Sequence, residues 1–253
     1  MHTEIQLEFE GTTALLKLVP PPGKPPTLDY ATLARLDAAL DTIAKDPPRC
    51  VVVRSAEPKY FCVGANINVL KETNSETIVP WCMEGHRIFN RLESLPCPVL
   101  AEIHGYAFGG GLELAMACDV IYAATEARLA QSEAALGFIP GWGGTGRLVR
   151  RLGLSKAKQL FFTGTAVGGD EAREIGLVDL AVPAADLAAA VEEFTTAVAH
   201  NDASALSTFK QLVHEPELLD RDRCAAAEAQ ASRGCLENTE TIERLTQFLN
   251  KRK

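Results

Sequence analysis

Two glutamates, Glu113 and Glu133, stand 20 residues apart between two glycine-rich turns, Gly109-Gly110-Gly111 and Gly141-Trp142-Gly143-Gly144-Thr145-Gly146. Glycine lets a backbone approach a ligand closely, and the first N–H groups of a helix point at whatever negative charge lies there. A carboxyl group in apolar surroundings has its pKa raised, which fits it for general acid–base work near neutral pH. Two such turns and two such carboxyls describe a site that holds an anion and moves protons.

Each part also has a plainer reading. Three glycines at a helix start cost roughly 1 kcal/mol each relative to alanine, and tight strand–helix packing would explain them as well as a ligand would. Glu113 follows in the apolar run Leu112-Glu113-Leu114-Ala115-Met116. A lone glutamate there is more commonly salt-bridged or turned to solvent. Glu133, in Gln131-Ser132-Glu133-Ala134, reads alone as an ordinary glutamate of a loop or helix start. Residues 141–146 formally match GxGxxG. A dinucleotide site needs that pattern directly after a strand and an acidic residue about 20 positions on. Residues 129–140 are no clean strand and the position 20 beyond Gly146 is Ala166, so that reading is weak. No GxSxG or HExxH occurs. The histidines at 2, 86, 104, 200 and 214 are scattered, and His86 and His104 read as structural.

The elements around these residues alternate. Ile5 to Glu8 and Ala14 to Leu18 read as a hairpin around Gly11-Thr12-Thr13, and Pro20 to Pro26 as a loop. Asp29 is placed to cap a helix running to about Lys45, with Leu33, Leu36, Leu40 and Ile43 on one face. Cys50 to Arg54 is a strand, Pro80 opens a helix ending near Ser94, and Val99 to Ile103 and Val120 to Ala124 are further strands. Alternating strand and helix implies an α/β core with parallel strands covered on both sides. Beyond Leu148 the chain reads as helical from about Arg151, with Leu180 to Val182 the one strand-like piece, and from Asp186 onward it reads as helix throughout. Those last helices must pack on the core or on another subunit.

Composition narrows the class. The chain has 253 residues, 47% hydrophobic and 23% charged, which is ordinary for a globular protein with a large core. A net charge of −8 argues against a nucleic-acid surface. No apolar run approaches the ~20 residues of a membrane span. The opening MHTEIQLEFE is acidic and unlike a secretory signal. Seven cysteines without a CxxC pair suggest a reduced, cytoplasmic compartment.

Taken as a set, His104-Gly105-Tyr106-Ala107-Phe108-Gly109-Gly110-Gly111-Leu112-Glu113-Leu114, Ile139-Pro140-Gly141-Trp142-Gly143-Gly144-Thr145 and the tail Phe248-Leu249-Asn250-Lys251-Arg252-Lys253 resemble the enoyl-CoA hydratase/isomerase (crotonase) superfamily, over about residues 5 to 253. The resemblance implies a spiral of repeated ββα units over residues 1–190, and a helical region over 191–253 that mediates a homotrimer or a homohexamer built as a dimer of trimers. It implies an acyl-CoA thioester as substrate and no cofactor. By motif, the N–H groups of Ala65 and Gly110 form an oxyanion hole for an enolate-like thioester. Glu113 positions and activates a water, Glu133 protonates Cα, and the backbone N–H of Gly141 helps to hold the water or Glu133. Val63, Gly64, Ile67, Gly109 and Trp142 are expected around the acyl thioester. Lys59, Phe248 and Lys251 are expected at the CoA moiety, the last two from a neighbouring subunit.

The sequence departs from the family pattern in places. Gly64-Ala65-Asn66-Ile67-Asn68 replaces the usual Gly-Ala-Asp-Ile-Lys, Ser132 replaces proline before Glu133, and Pro26-Thr27-Leu28 replaces an Asn-Ala-Leu turn. Trp142 stands where hydratases often carry a small residue, which opens the reading of a cyclic or conjugated enoyl substrate. Both glutamates favour syn hydration of a 2-enoyl-CoA over double-bond isomerisation through a dienolate, or over an acyl-CoA-binding scaffold without catalysis.

Overall fold

The computed structural model describes residues 2–214 and 221–250, and of residues 221, 222 and 248 the backbone only. The hairpin is β1 (Glu4–Glu10) and β2 (Thr13–Val19), antiparallel in register Leu7 opposite Leu16. Helix α1 (Tyr30–Lys45) starts where predicted: the Asp29 side chain accepts from the Thr32 N–H at 2.9 Å. Its predicted face, Leu33, Leu36, Leu40 and Ile43, is fully buried. Each such side chain is worth about 1.5–3 kcal/mol of transfer free energy.

Three spiral turns follow, and each sends one strand to each of two sheets. The first has β3 (Cys50–Ser55), β4 (Tyr60–Cys62), α2 (Ile67–Glu72) and α3 (Ile78–Glu93). The second has β5 (Val99–Ile103), β6 (Tyr106–Phe108) and α4 (Gly110–Met116). The third has β7 (Val120–Ala124), β8 (Arg128–Ala130), a 3₁₀ turn Glu133–Leu136 and α5 (Gly144–Thr163). Strand β9 (Val167–Gly168), α6 (Gly169–Glu174) and β10 (Leu180–Val182) complete the core, and α7 (Ala184–His200), α8 (Ala203–Leu212), α9 (Arg221–Glu237) and α10 (Thr239–Asn250) follow.

The large sheet has the order β1-β2-β3-β5-β7-β10, parallel from β2 onward. The small sheet has the order β4-β6-β8-β9, with β4, β6 and β8 parallel and β9 antiparallel. The ββα repeat is therefore present, and its second strands are only three residues long, too short for a hydrophobic period to reveal them. Helix α5 begins at Gly144 rather than near Arg151, and it breaks at Gly153 (φ 71°, ψ 165°). No helix among the described residues is long and apolar enough to cross a membrane.

Candidate active site

The small sheet decides where the chemistry-bearing residues meet. Tyr60 pairs with Tyr106, and Phe108 with Ala130, so β4, β6 and β8 run side by side and end together. The chain leaving β4 reaches Ala65, the chain leaving β6 reaches Gly110, and the chain leaving β8 reaches Glu133. Corresponding turns of consecutive repeats thus deliver three residues to one edge.

The turn after β4 is fixed by the segment that replaces the Asn-Ala-Leu turn. Leu28 N–H donates to the Gly64 carbonyl at 2.8 Å, and Asn66 N–H donates to the Leu28 carbonyl at 2.8 Å. In an extended segment neighbouring residues direct their N–H groups to opposite sides, so this bridge between Leu28 and Ala65 leaves the Ala65 N–H facing away from Leu28. Asn66 keeps the capping work, its side chain accepting from the Asn68 N–H at 3.0 Å. At the other turn, Gly109 N–H donates to the Ala130 carbonyl at 2.9 Å. Gly110 is the first residue of α4, where an N–H has no partner within the helix. The two turns touch: a β-carbon on Gly64, whose φ is +92°, would sit 2.9 Å from the Gly110 nitrogen, and one on Gly110 would sit 3.4 Å from the Ala65 nitrogen. Among the described residues neither N–H has a protein acceptor.

The glycine triplet serves both of its readings, divided by position. A β-carbon on Gly111 would lie 2.0 Å from the Cys62 carbonyl oxygen, so this glycine exists for helix–strand packing. Gly109 has φ +51°, and a β-carbon there would lie 3.1 Å from Glu133 Oε1. Gly110 faces the Ala65 nitrogen and the Trp142 ring.

Glu113 is 2% exposed. Its Oε1 accepts from the N–H of Trp142 and the N–H of Gly144, each at 2.8 Å. Burial pushes its carboxyl up to about 7, against the opposing pull of those two N–H groups. Glu133 is half-buried; its Oε1 accepts from Gln131 Nε2 at 2.7 Å, while its buried Oε2 has no partner among the described residues. Burial raises its pKa also. Both carboxyls open onto one cavity of about 340 Å³, which Val63, Gly64, Ala65, Ile67, Gly109, Gly110, Gly141 and Trp142 also line. Such a site can present two N–H donors to an oxyanion and two carboxyl groups of raised pKa to a water.

Ten of the thirteen expected site residues therefore meet at this cavity. Lys59 does not: it is exposed, with Nζ 5.5 Å over the Tyr60 ring. Lys251 and the side chain of Phe248 lie outside the described residues. Of the two contacts expected of the Gly141 N–H, the one to Glu133 is not made among the described residues. The N–H groups of that turn that bond a glutamate are those of Trp142 and Gly144, and the glutamate is Glu113 rather than Glu133. The turn runs into the N-terminus of α5, and this places residues 142 and 144, not 141, over the carboxyl group.

Trp142 is a buried wall. Its indole packs edge-on to Trp81 and Phe89 at centroid distances of 5.1 and 5.6 Å, and Nε1 donates to the Trp81 carbonyl at 3.4 Å. Gly85 on α3 makes room, since a β-carbon there would fall 2.1 Å from the indole Cδ1. Trp81, Cys82 and His86 line the same cavity and were not expected there. They lie on one face of α3, and no motif marks them. Burial, with the Arg147 charge beside it, lowers the His86 pKa.

Successive repeats of the spiral bring two N–H groups without a protein acceptor among the described residues, one buried carboxyl and one half-buried carboxyl to one cavity, an arrangement suited to oxyanion and proton-transfer chemistry. Comparison with known proteins makes the class specific. The sequence matches the enoyl-CoA hydratase/isomerase family over residues 8–253, and the chain belongs to that family. It is 36% identical over 248 residues to a short-chain-enoyl-CoA hydratase of Clostridium acetobutylicum, covering 98% of this chain and 95% of that protein. It is 33% identical over 253 residues to a crotonyl-CoA hydratase of Syntrophomonas wolfei, covering 100% and 97%. The crystal structure of an enoyl-CoA hydratase from Bacillus anthracis superposes with a TM-score of 0.92 at 32% identity, covering 98% of this chain and 96% of that one.

Proposed function

We propose that this protein adds water syn across the 2,3 double bond of a short-chain enoyl-CoA thioester. The observation that carries the reading is that Glu113 and Glu133 face one cavity together with the unpaired N–H groups of Ala65 and Gly110. The thioester oxygen accepts from Ala65 and Gly110, where a developing negative charge gains the help of the α4 N-terminus. One such donor is typically worth roughly 3–4 kcal/mol in the transition state. Glu113, bonded by two N–H groups, is the carboxylate that takes a proton as water attacks Cβ. Glu133, whose Oε2 has no protein partner, holds the proton that passes to Cα. The two carboxyls share one mobile proton, and the ensuing exchange restores the starting state. No oxidation state changes and both proton transfers are covered, so the reading calls for no cofactor beyond the CoA ester itself.

The names of the relatives support a short acyl chain, and the Trp81–Trp142 wall supports it physically. The region 191–253 is proposed to mediate a homotrimer or a dimer of trimers. In its support, Ile242, Leu245 and Leu249 are exposed on α10 at helical spacing. The seven cysteines form no disulfide, which supports a reduced, cytoplasmic setting. The test is loss of conjugated-thioester absorbance with a panel of linear and cyclic enoyl-CoAs, no cofactor added, and the product identified by mass. Hydroxyacyl-CoA formation from crotonyl-CoA is the expected result. Binding without turnover across the panel would overturn the reading.

A further inference from the structure

We infer that Arg147, clamped by Glu93 and Asn90, is the positioning residue that holds the Trp142–Gly144 turn on Glu113. This inference rests on the hydratase reading for its catalytic consequence, though not for its structural one. Arg147 is 3% exposed and lies in the first turn of α5. A cation there opposes the helix dipole, so its burial calls for compensation. Four hydrogen bonds supply it: Nε and Nη2 donate to Glu93 Oε2 at 3.1 and 2.6 Å, Nη2 donates to Asn90 Oδ1 at 2.7 Å, and Nη1 donates to the Trp142 carbonyl at 2.8 Å.

The last of these bonds ties the clamp to the chemistry. Trp142 offers its carbonyl to Arg147 and its N–H to Glu113, so one residue's backbone joins the cation to the carboxyl group. Gly143 between them has φ +100°, and a β-carbon there would fall 2.2 Å from Arg147 Nη1. The turn is bare on that side so that the guanidinium can lie beneath it. Helix α3 thus holds the cavity wall through Trp81 and holds the turn through Asn90 and Glu93. A planar fork is what this geometry uses, and lysine cannot reproduce it.

Among the described residues the groups facing Glu113 are Cys82 on α3, Glu133 on the 3₁₀ turn and Arg147 on α5, and His86 on α3 lines the same cavity. Of these Arg147 alone is a fixed cation, and it favours the ionised form of Glu113, as do the two N–H groups it positions. Removing it shifts the Glu113 titration upward.

The experiment compares full-length wild type with Arg147→Gln, Arg147→Lys and Asn90→Ala, using crotonyl-CoA as substrate and carbon-13 glutamate NMR for the Glu113 titration. Arg147→Gln is expected to lower kcat by on the order of 10- to 100-fold, as small misplacements of a reacting group do. KM should stay within about 3-fold, and the acid limb of kcat and the Glu113 titration should move up together. Arg147→Lys should restore the titration further than it restores kcat. Asn90→Ala removes one bond from an exposed residue and should move both readouts in the same direction by less; it serves if Arg147→Gln does not fold. Unchanged kcat and unchanged Glu113 titration in the folded variants would overturn the inference. Inactivity of the wild type on crotonyl-CoA would fault the hydratase reading instead, and the titration would still judge the clamp.

Discussion

Glu113 and Glu133 face the same cavity but are held unequally. Glu113 Oε1 accepts two backbone N–H groups, from Trp142 and Gly144, while Glu133 has one side-chain donor on Oε1 and nothing from the protein on Oε2. Hydrogen bonds to a carboxylate favour its ionised form, and an unpaired buried oxygen favours the protonated one. In the proposed mechanism this inequality makes Glu113 the base and Glu133 the acid. Glu113→Gln and Glu133→Gln should each lower kcat for hydration by roughly 10²- to 10⁴-fold, the usual range for loss of a general acid or base. Steady-state kinetics with crotonyl-CoA check this, and full activity in Glu133→Gln would sink the two-carboxyl mechanism.

The pH dependence follows from Glu113. Burial raises its carboxyl to about 7 from an ordinary 4.5. The proposed mechanism needs the ionised form, so kcat should fall as pH drops below about 7. Stability has the opposite sense. Between 4.5 and 7 the folded chain binds a proton that the unfolded chain has lost, so the contribution to stability is full below 4.5 and declines as pH rises through 7. Urea melts from pH 4.5 to 8 should show Glu113→Gln losing part of the wild-type slope, and an unchanged slope would refute the assignment.

Adjacent glycines should fail differently. Gly109→Ala puts a β-carbon 3.1 Å from Glu133 Oε1 on a backbone at φ +51°, so it should displace the acid at a stability cost of about 1–2 kcal/mol. Gly111→Ala puts a β-carbon 2.0 Å from the Cys62 carbonyl, which is backbone and cannot swing away. Thermal melts should find the first variant folded and slow, the second strongly destabilised.

Helix α8 is anchored by a part-buried ion pair. Lys210 Nζ donates to the Cys97 carbonyl at 2.9 Å and to Asp119 Oδ2 at 2.7 Å. Lys210→Met leaves the half-buried Asp119 without its cation and should cost about 1–3 kcal/mol. Lys210→Met combined with Asp119→Asn should recover part of the loss, and a denaturation double-mutant cycle measures the coupling.

What the sequence made legible had a local cause. The Asp29 cap, the buried face of α1, the hairpin and the three other long strands each rest on neighbours along the chain. The cavity did too where glycines announced it, at Gly64, Gly109, Gly110 and Gly141. Glu113 and Glu133 gained meaning only as a pair within a larger motif. Arg147 and its partners were invisible because Asn90 and Glu93 lie 57 and 54 residues away in sequence. One clue was available: an arginine one turn into a helix that opens on glycines is badly placed for the helix dipole, and so needs acceptors from elsewhere. The division of labour within the triplet was likewise hidden, since Cys62 and Glu133 reach it from other turns of the spiral.

The small sheet carries a consequence for how activity is lost. Its strands β4, β6 and β8 hold three residues each, and with the Leu28 bridge they set Ala65, Gly110 and Glu133 side by side, whereas the six-stranded sheet contributes none of these three. Amide protons at the ends of those short strands should exchange through local openings that leave the large sheet intact. Heat or mild denaturant should therefore silence the chain before it unfolds, with inactivation preceding the loss of helical circular dichroism.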